Sequence, residues 1–272
     1  MSLATPFRDL PAWADYLSRV EIPVLPMTAL QLTELAQHED EVDANAIANV
    51  ISIDPLMSVK VYRQVAMLRR KSQTTDVETV TGCVVMMGVP PFFRAFKQLV
   101  PVTLPDLDPE QPLQGLSAVL SRASRAREFA IDWAIRRNDF DAEIIGAAAL
   151  LHDIAEMLLW CVAPALAAKV RDLQAANPGM RSVTAQKSVL NVEIPALQHE
   201  LLHRWHLPEL LVKITDDSDN DDPQVRNVHL AVALARHSAE SWENTALPDD
   251  YAAIGRLLNL NAAQARALAM PQ

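Results

Sequence analysis

Three stretches of this chain carry side chains whose types and spacing could do chemistry. In AALLHDIAEMLLW, residues 148–160, His152 and Asp153 sit in the middle of an otherwise almost wholly apolar run. A helix that is apolar all round reads as buried, and a buried carboxylate costs several kcal/mol unless it is paired, metal-bound or protonated. The pair is therefore a working site, the remnant of one, or a structural pair with partners elsewhere. Two adjacent residues cannot hold a hard divalent metal alone, because such an ion takes about six ligands. Phosphoryl hydrolysis at this pair would also need a metal-activated water.

The second stretch is HELLH, residues 199–203. Its spacing puts two imidazoles and a carboxylate on one helix, the arrangement of a zinc peptidase: His199 and His203 as ligands, Glu200 as base. A zinc site needs a third protein ligand. The extended form of the motif fails, since His206 and Glu209 stand where its Gly and third His belong. If Leu197, Leu201 and Trp205 form the buried stripe, His199, His203 and His206 face water. The third stretch, DDSDNDD at 216–222, places Asp217, Asp219 and Asp221 at the one-three-five spacing of a calcium loop. Asp222 occupies the turn glycine's place and Val228 that of the bidentate Glu. A solvated acidic loop is the better reading.

The elements that must position these residues are helices. Of 272 residues half are hydrophobic, only six are Gly and 18 are Pro, and the prolines fall between helical periods. Helices are expected over 13–20, 27–37, 44–52, from Asp54-Pro55 onward, and over 77–87, where Gly88 stops the run. Asp54 reads as an N-cap with Pro55 at the first helical position; Val59, Tyr62, Val65 and Ala66 point inward. PVTLPDLDPEQPLQG, residues 101–115, reads as a linker. Further helices follow at 116–137, 142–160, 162–176, 182–190, 195–206, 208–215, 223–242, 249–257 and 261–269. The expected organisation is all-α: an N-terminal lobe over 1–100, the linker, and a helical bundle over 116–272.

A net charge of −10 argues against general nucleic-acid binding. The first residues show no apolar signal core, and the apolar run 144–168 is broken by His152, Asp153, Glu156 and Pro164, so no membrane span and a cytoplasmic location are expected. Cys83 and Cys161 lie in apolar runs and read as buried thiols. Trp13, Trp133, Trp160 and Trp242 read as helical core residues, and Trp205 as a packing anchor at a helix end. Phe92-Phe93 read as buried. Arg122, Arg125 and Arg127 read as a solvated face that could also serve a phosphate-bearing ligand.

Several segments, in order, resemble the HDOD family, the HD-related output domain of bacterial signalling proteins. IPVLPMTALQLTEL resembles its "LPPLP…L..L" opening and ISIDPLMSVKVYRQVAML its "I..DP.L..K.L..AN" segment. TVTGCVVMMGV resembles its "A...LG" helix, AALLHDIAEMLL its "GLLHDIGKLVL", and LLHRWHLPELLVKI its "LL..W.LP..I...I". The resemblance implies an all-α fold, an N-terminal helical lobe packed on a degenerate bundle of the HD phosphohydrolase type. Catalytic HD proteins add an early His and a late Asp to the His-Asp pair. Those places fall here at Leu120 or Ser121 and near Val232, so only His152 and Asp153 remain. AMLR, 66–69, replaces the family's "ANSA", and Ala155 and Glu156 replace the Gly and Lys after HD. The implied protein is non-catalytic, with no cofactor and no metal. It would bind a partner protein in a signalling pathway or a small ligand in a cleft between lobes, with no nucleic acid and no membrane. His152 and Asp153 would be a vestigial pair, His152 held by a carbonyl and Asp153 by backbone donors. The alternative is a divergent metal-dependent phosphohydrolase drawing ligands from the acidic residues after Ile214.

Overall fold

The computed structural model of the chain describes residues 3–68, 77–102, 110–218 and 221–270. Among them there are sixteen helices and no strand, with one isolated parallel bridge between Val24 and Pro101. The helices are α1 (Leu10–Leu17), α2 (Pro26–Ala36), α3 (Ala44–Ile51), α4 (Pro55–Leu68), α5 (Val80–Met87) and α6 (Val89–Ala95). The long α7 (Glu110–Arg136) is followed by α8 (Ala142–Leu151), α9 (Ile154–Val162), α10 (Pro164–Ala176), α11 (Ser182–Leu190) and α12 (Ile194–Arg204). The last four are α13 (Glu209–Ile214), α14 (Pro223–His237), α15 (Leu247–Leu258) and α16 (Ala262–Ala269).

The chain forms two compact units, and neither is continuous in sequence. One comprises Met1–Leu120 with Asp153–Pro208, the other Ser121–His152 with Glu209–Gln272. This corrects the expected division at 101–115. Helices α9–α12 belong with the N-terminal segment, and hydrogen bonds and an ion pair tie α9, α11 and α12 to it. Trp13 is fully buried and its indole N–H donates to the Leu190 carbonyl at 2.8 Å. Asn191 donates to the Phe7 carbonyl at 2.9 Å, the Leu3 N–H bonds Val162 at 2.8 Å, and Arg204 pairs with Asp15. The expected linker also shrinks at its far end, since Glu110–Gly115 open α7. Pro112 fits there because first-turn N–H groups have no acceptor within the helix. Residues 103–109 of that stretch lie outside the described residues. Gly115 is required by close approach: a Cβ there would stand 2.3 Å from the Trp160 ring.

In the first unit, Asp54 explains why an Asp-Pro pair starts α4. Its Oδ1 accepts the N–H groups of Leu56 (2.9 Å) and Met57 (3.0 Å), two of the orphan donors of the first turn. Its Oδ2 accepts the Leu25 N–H at 2.8 Å, clamping the IPVLP connector onto α4. That connector also bonds residues 100–102, Val24 N–H to Val100 and Val102 N–H to Val24. Val59, Tyr62 and Val65 are buried as expected, while Ala66 is half-buried. Gly88 ends α5 and begins α6 at φ +78°, a backbone state that disfavours any side chain. Phe92 is fully buried.

In the second unit, α8 packs on α13 and α14, and α14 on α15. Asn227 on α14 is fully buried and donates to the Ala130 carbonyl of α7 at 3.1 Å. Trp242 departs from expectation: α14 stops at His237, and Trp242 lies in the following turn, where the Arg125 guanidinium sits 5.4 Å from its ring centroid. Arg125 also donates to Ser238 Oγ at 2.6 Å, so it is a bridging residue of this unit and not part of a solvated face. The 142–162 stretch has the length and hydropathy of a membrane span, and 72% of its apolar 18-residue window is buried inside the protein.

Candidate functional site

The helix expected over 142–160 is two helices, and the break falls at the His-Asp pair. His152 closes α8 and Asp153 precedes α9 with φ −109° and ψ 24°, outside the helical region. Asp153 occupies the N-cap place of α9 without a side-chain cap bond, at a boundary that apolar periodicity alone runs through. The turn leaves both residues half-buried.

His152 meets partners from the α13–α14 connection and from α14. Its Nε2 lies 3.3 Å from both carboxylate oxygens of Asp217. The Nδ1 of His229, on α14, lies 3.1 Å from Asp217 Oδ1. The connection is fixed at its far end, where Asp222 caps α14 by accepting the Gln224 N–H at 2.8 Å and pairs with Lys213 at 2.5 Å. Gln224 and Arg137 anchor the same helix start, to Asp141 at 2.7 Å and to the Pro223 carbonyl at 3.0 Å. Packing of α8 against α13 and α14 thus gathers an imidazole–carboxylate–imidazole trio from three places in the sequence.

Partial burial raises the Asp217 carboxyl, but the hydrogen bonds and charges of His152 and His229 outweigh it and hold the group well below the usual carboxylate range. His152 thus faces a carboxylate, that of Asp217. Asp217 itself, read from sequence as part of a solvated loop, is an ion-pair partner. Asp153 also has a partner. The trio can hold protons and present a paired charge. It does not fit a metal centre: among the described residues, no group of three or more His, Cys, Asp or Glu could hold a metal ion. The early-His place at Leu120 or Ser121 and the buried, apolar Val232 at the late-Asp place supply no ligand.

The HELLH segment lies on α12, in the other unit. Leu197, Leu201 and Trp205 form its buried stripe, and His199, His203 and His206 are exposed, as expected. The two histidines face each other with Nε2 atoms 3.0 Å apart. Glu200 is turned away into an ion pair, its Oε1 accepting from Arg204 Nε at 2.6 Å. In the acidic loop, Asp219 lies outside the described residues, and Asp221 is fully exposed. Neither cysteine is in a disulfide; Cys83 is buried and Cys161 half-buried, and burial, then the charge of Asp54, pushes Cys161 up to about 12.

The family described as HDOD domain matches residues 22–220. The chain belongs to the HDOD family. Two solved structures show the same fold. The MmoQ response regulator from Methylococcus capsulatus str. Bath is 19% identical, with 93% of this chain and 100% of that one covered at a TM-score of 0.69. A virulence factor from Campylobacter jejuni subsp. jejuni is 16% identical, with 96% and 97% covered at a TM-score of 0.67. Among curated proteins, none matches the chain. The HDOD match ends at residue 220, so it takes in His152 and Asp217 and leaves out His229. Sequence reasoning missed His229. The available signal was an ionisable residue at the head of the apolar run HLAVALAR.

Proposed function

We propose that this HDOD chain is a non-catalytic signal-transduction module that acts by binding a partner protein or a small ligand. The observation that carries the reading is the fate of the His-Asp pair. His152 is engaged by Asp217, which it shares with His229. The ligand set that would make the pair a hydrolytic centre stops short among the described residues. The trio then serves as a polar clasp within its unit, and specificity would lie in surfaces elsewhere. Relationship to response-regulator and virulence-factor structures supports a regulatory role by fold alone.

The test is turnover. The purified chain, with Mn²⁺ or Mg²⁺ added, is assayed against phosphodiesters and nucleotides and analysed for bound metal. The expected result is no turnover above that of the His152→Ala variant. Hydrolysis abolished by His152→Ala, with near-stoichiometric Mn or Fe, would overturn the proposal and put a divergent phosphohydrolase in its place.

A further inference from the structure

Away from the His-Asp trio, the first unit contains an open cavity of about 580 Å³, within the range of small-molecule sites. Its charge is unlike that of the chain. Arg19, Lys60, Arg63, Arg94 and Lys97 line it, against one carboxylate, Glu21. In a protein of net charge −10, five cations at one cavity are not a reflection of overall composition. Converging like charges repel, and the arrangement is stable with an anion between them.

The cations come from three elements. Arg19 follows α1, Lys60 and Arg63 lie on α4, and Arg94 and Lys97 lie on and just after α6. Lys60, Arg63, Gln64 and Met67 have helical i, i+3, i+4, i+7 spacing, so one face of α4 forms a wall of the cavity. Two of the cations are held in place. Lys60 donates to the Ile22 carbonyl at 2.8 Å and pairs with Glu21. Arg63 donates to the Ser18 carbonyl at 3.0 Å and stacks over the Trp205 indole, 5.3 Å from its centroid. Stacking occupies the face of the guanidinium and leaves its edge, where the N–H groups are, for an acceptor. Arg63 has no carboxylate in salt-bridge contact among the described residues, and burial pulls its pKa down. A bound anion would relieve that cost.

We infer that this cavity is a binding site for a small molecule bearing a phosphate chain, a nucleoside polyphosphate or pyrophosphate, held by Arg63 and Lys60 at the wall and Arg94 and Lys97 at the rim. A planar guanidinium fork binds phosphate oxygens in pairs, and clustered cations favour several charges on one compact group. The inference goes beyond the signalling proposal, because the residues involved are not those of the His-Asp trio.

The experiment is calorimetric titration of the full chain with pyrophosphate, with ATP and with an oligoglutamate peptide. Both phosphate probes are expected to bind, and each to bind about tenfold more weakly to Arg94→Glu and to Arg63→Gln. Arg94 is exposed, so its variant stays informative should Arg63→Gln disturb the Trp205 packing. Tighter binding of ATP would assign a nucleotide, and equal binding the phosphate chain alone; both support the site. His152→Ala should leave binding unchanged, which separates this site from the trio. The inference is overturned by no binding of either phosphate probe, by unchanged affinity in the Arg63→Gln, Arg94→Glu double variant, or by tighter binding of the peptide.

Discussion

Asp54 and Asp217 are two carboxylates that the fold treats in opposite ways. Asp54, in the first unit, is fully buried and bound by backbone N–H groups. Burial raises its pKa, and the bonds from Leu25, Met57, Thr28 and Leu56 offset only part of that. Asp217, in the second unit, keeps 43% of its side chain exposed and faces two imidazoles, and its pKa falls. The difference lies in the partners. Neutral N–H dipoles satisfy a carboxylate geometrically but do not replace its hydration, whereas imidazolium charges favour the ionised form outright. Asp54 is thus a structural clamp, and Asp217 a carboxylate held ionised by its two imidazole partners.

The largest effect should come from Asp54→Ala, which strips a helix cap and leaves three N–H groups without their acceptor. A loss of about 3 kcal/mol is expected in urea unfolding. A loss under about 1 kcal/mol would mean that water replaces the carboxylate, and the clamp reading would fail.

Asp217→Asn should cost about 1 kcal/mol or less at neutral pH, because solvent screens so exposed a group. Its signature is in the pH profile. A depressed carboxyl gives stability that is complete above its ordinary value near 3.8 and is lost as pH falls through the folded-state value. Asp54, being raised, has the reverse slope: its contribution is complete below 3.8 and is lost as pH rises through its folded-state value. Urea midpoints measured between acid and neutral pH should therefore show a flatter acid limb in Asp217→Asn and a steeper one in Asp54→Asn. The same slope in both variants would remove the contrast.

His229→Gln should have a smaller effect, a few tenths of a kcal/mol, since His152 still holds Asp217. Its acid limb should fall between those of wild type and Asp217→Asn. The smallest change is at Cys161, where burial outranks the charge of Asp54. Thiol titration of native Asp54→Asn should find Cys161 as unreactive as in wild type. Rapid labelling of the folded variant would show that charge, not burial, protects the thiol.

Helix positions, the Asp54-Pro55 start of α4 and the buried stripe of α12 were legible along the chain because each depends on spacing within a short window, and HDOD membership was legible from the order of several such segments. The break at His152-Asp153 was not legible. Apolar periodicity ran through it, predicting one helix over 142–160; only the charged pair itself stood out there. The linker at 101–115 was misjudged at Glu110–Gly115 because proline reads as a breaker wherever it stands, yet is harmless in a first turn. Asp217 and His229 could not be assigned to His152, since 65 residues separate the first pair and nothing local sets that distance.

The sequence by itself determined an all-α HDOD chain, the Asp54 cap of α4 and the amphipathic face of α12. Only the tertiary structure decided that α9–α12 join the N-terminal segment, that Asp217 and His229 close on His152, and that five cations of an acidic chain share one cavity. Local propensity is set by neighbours a few residues away. Which helices meet, and therefore which charges face each other, is set by shape complementarity between surfaces far apart in the chain.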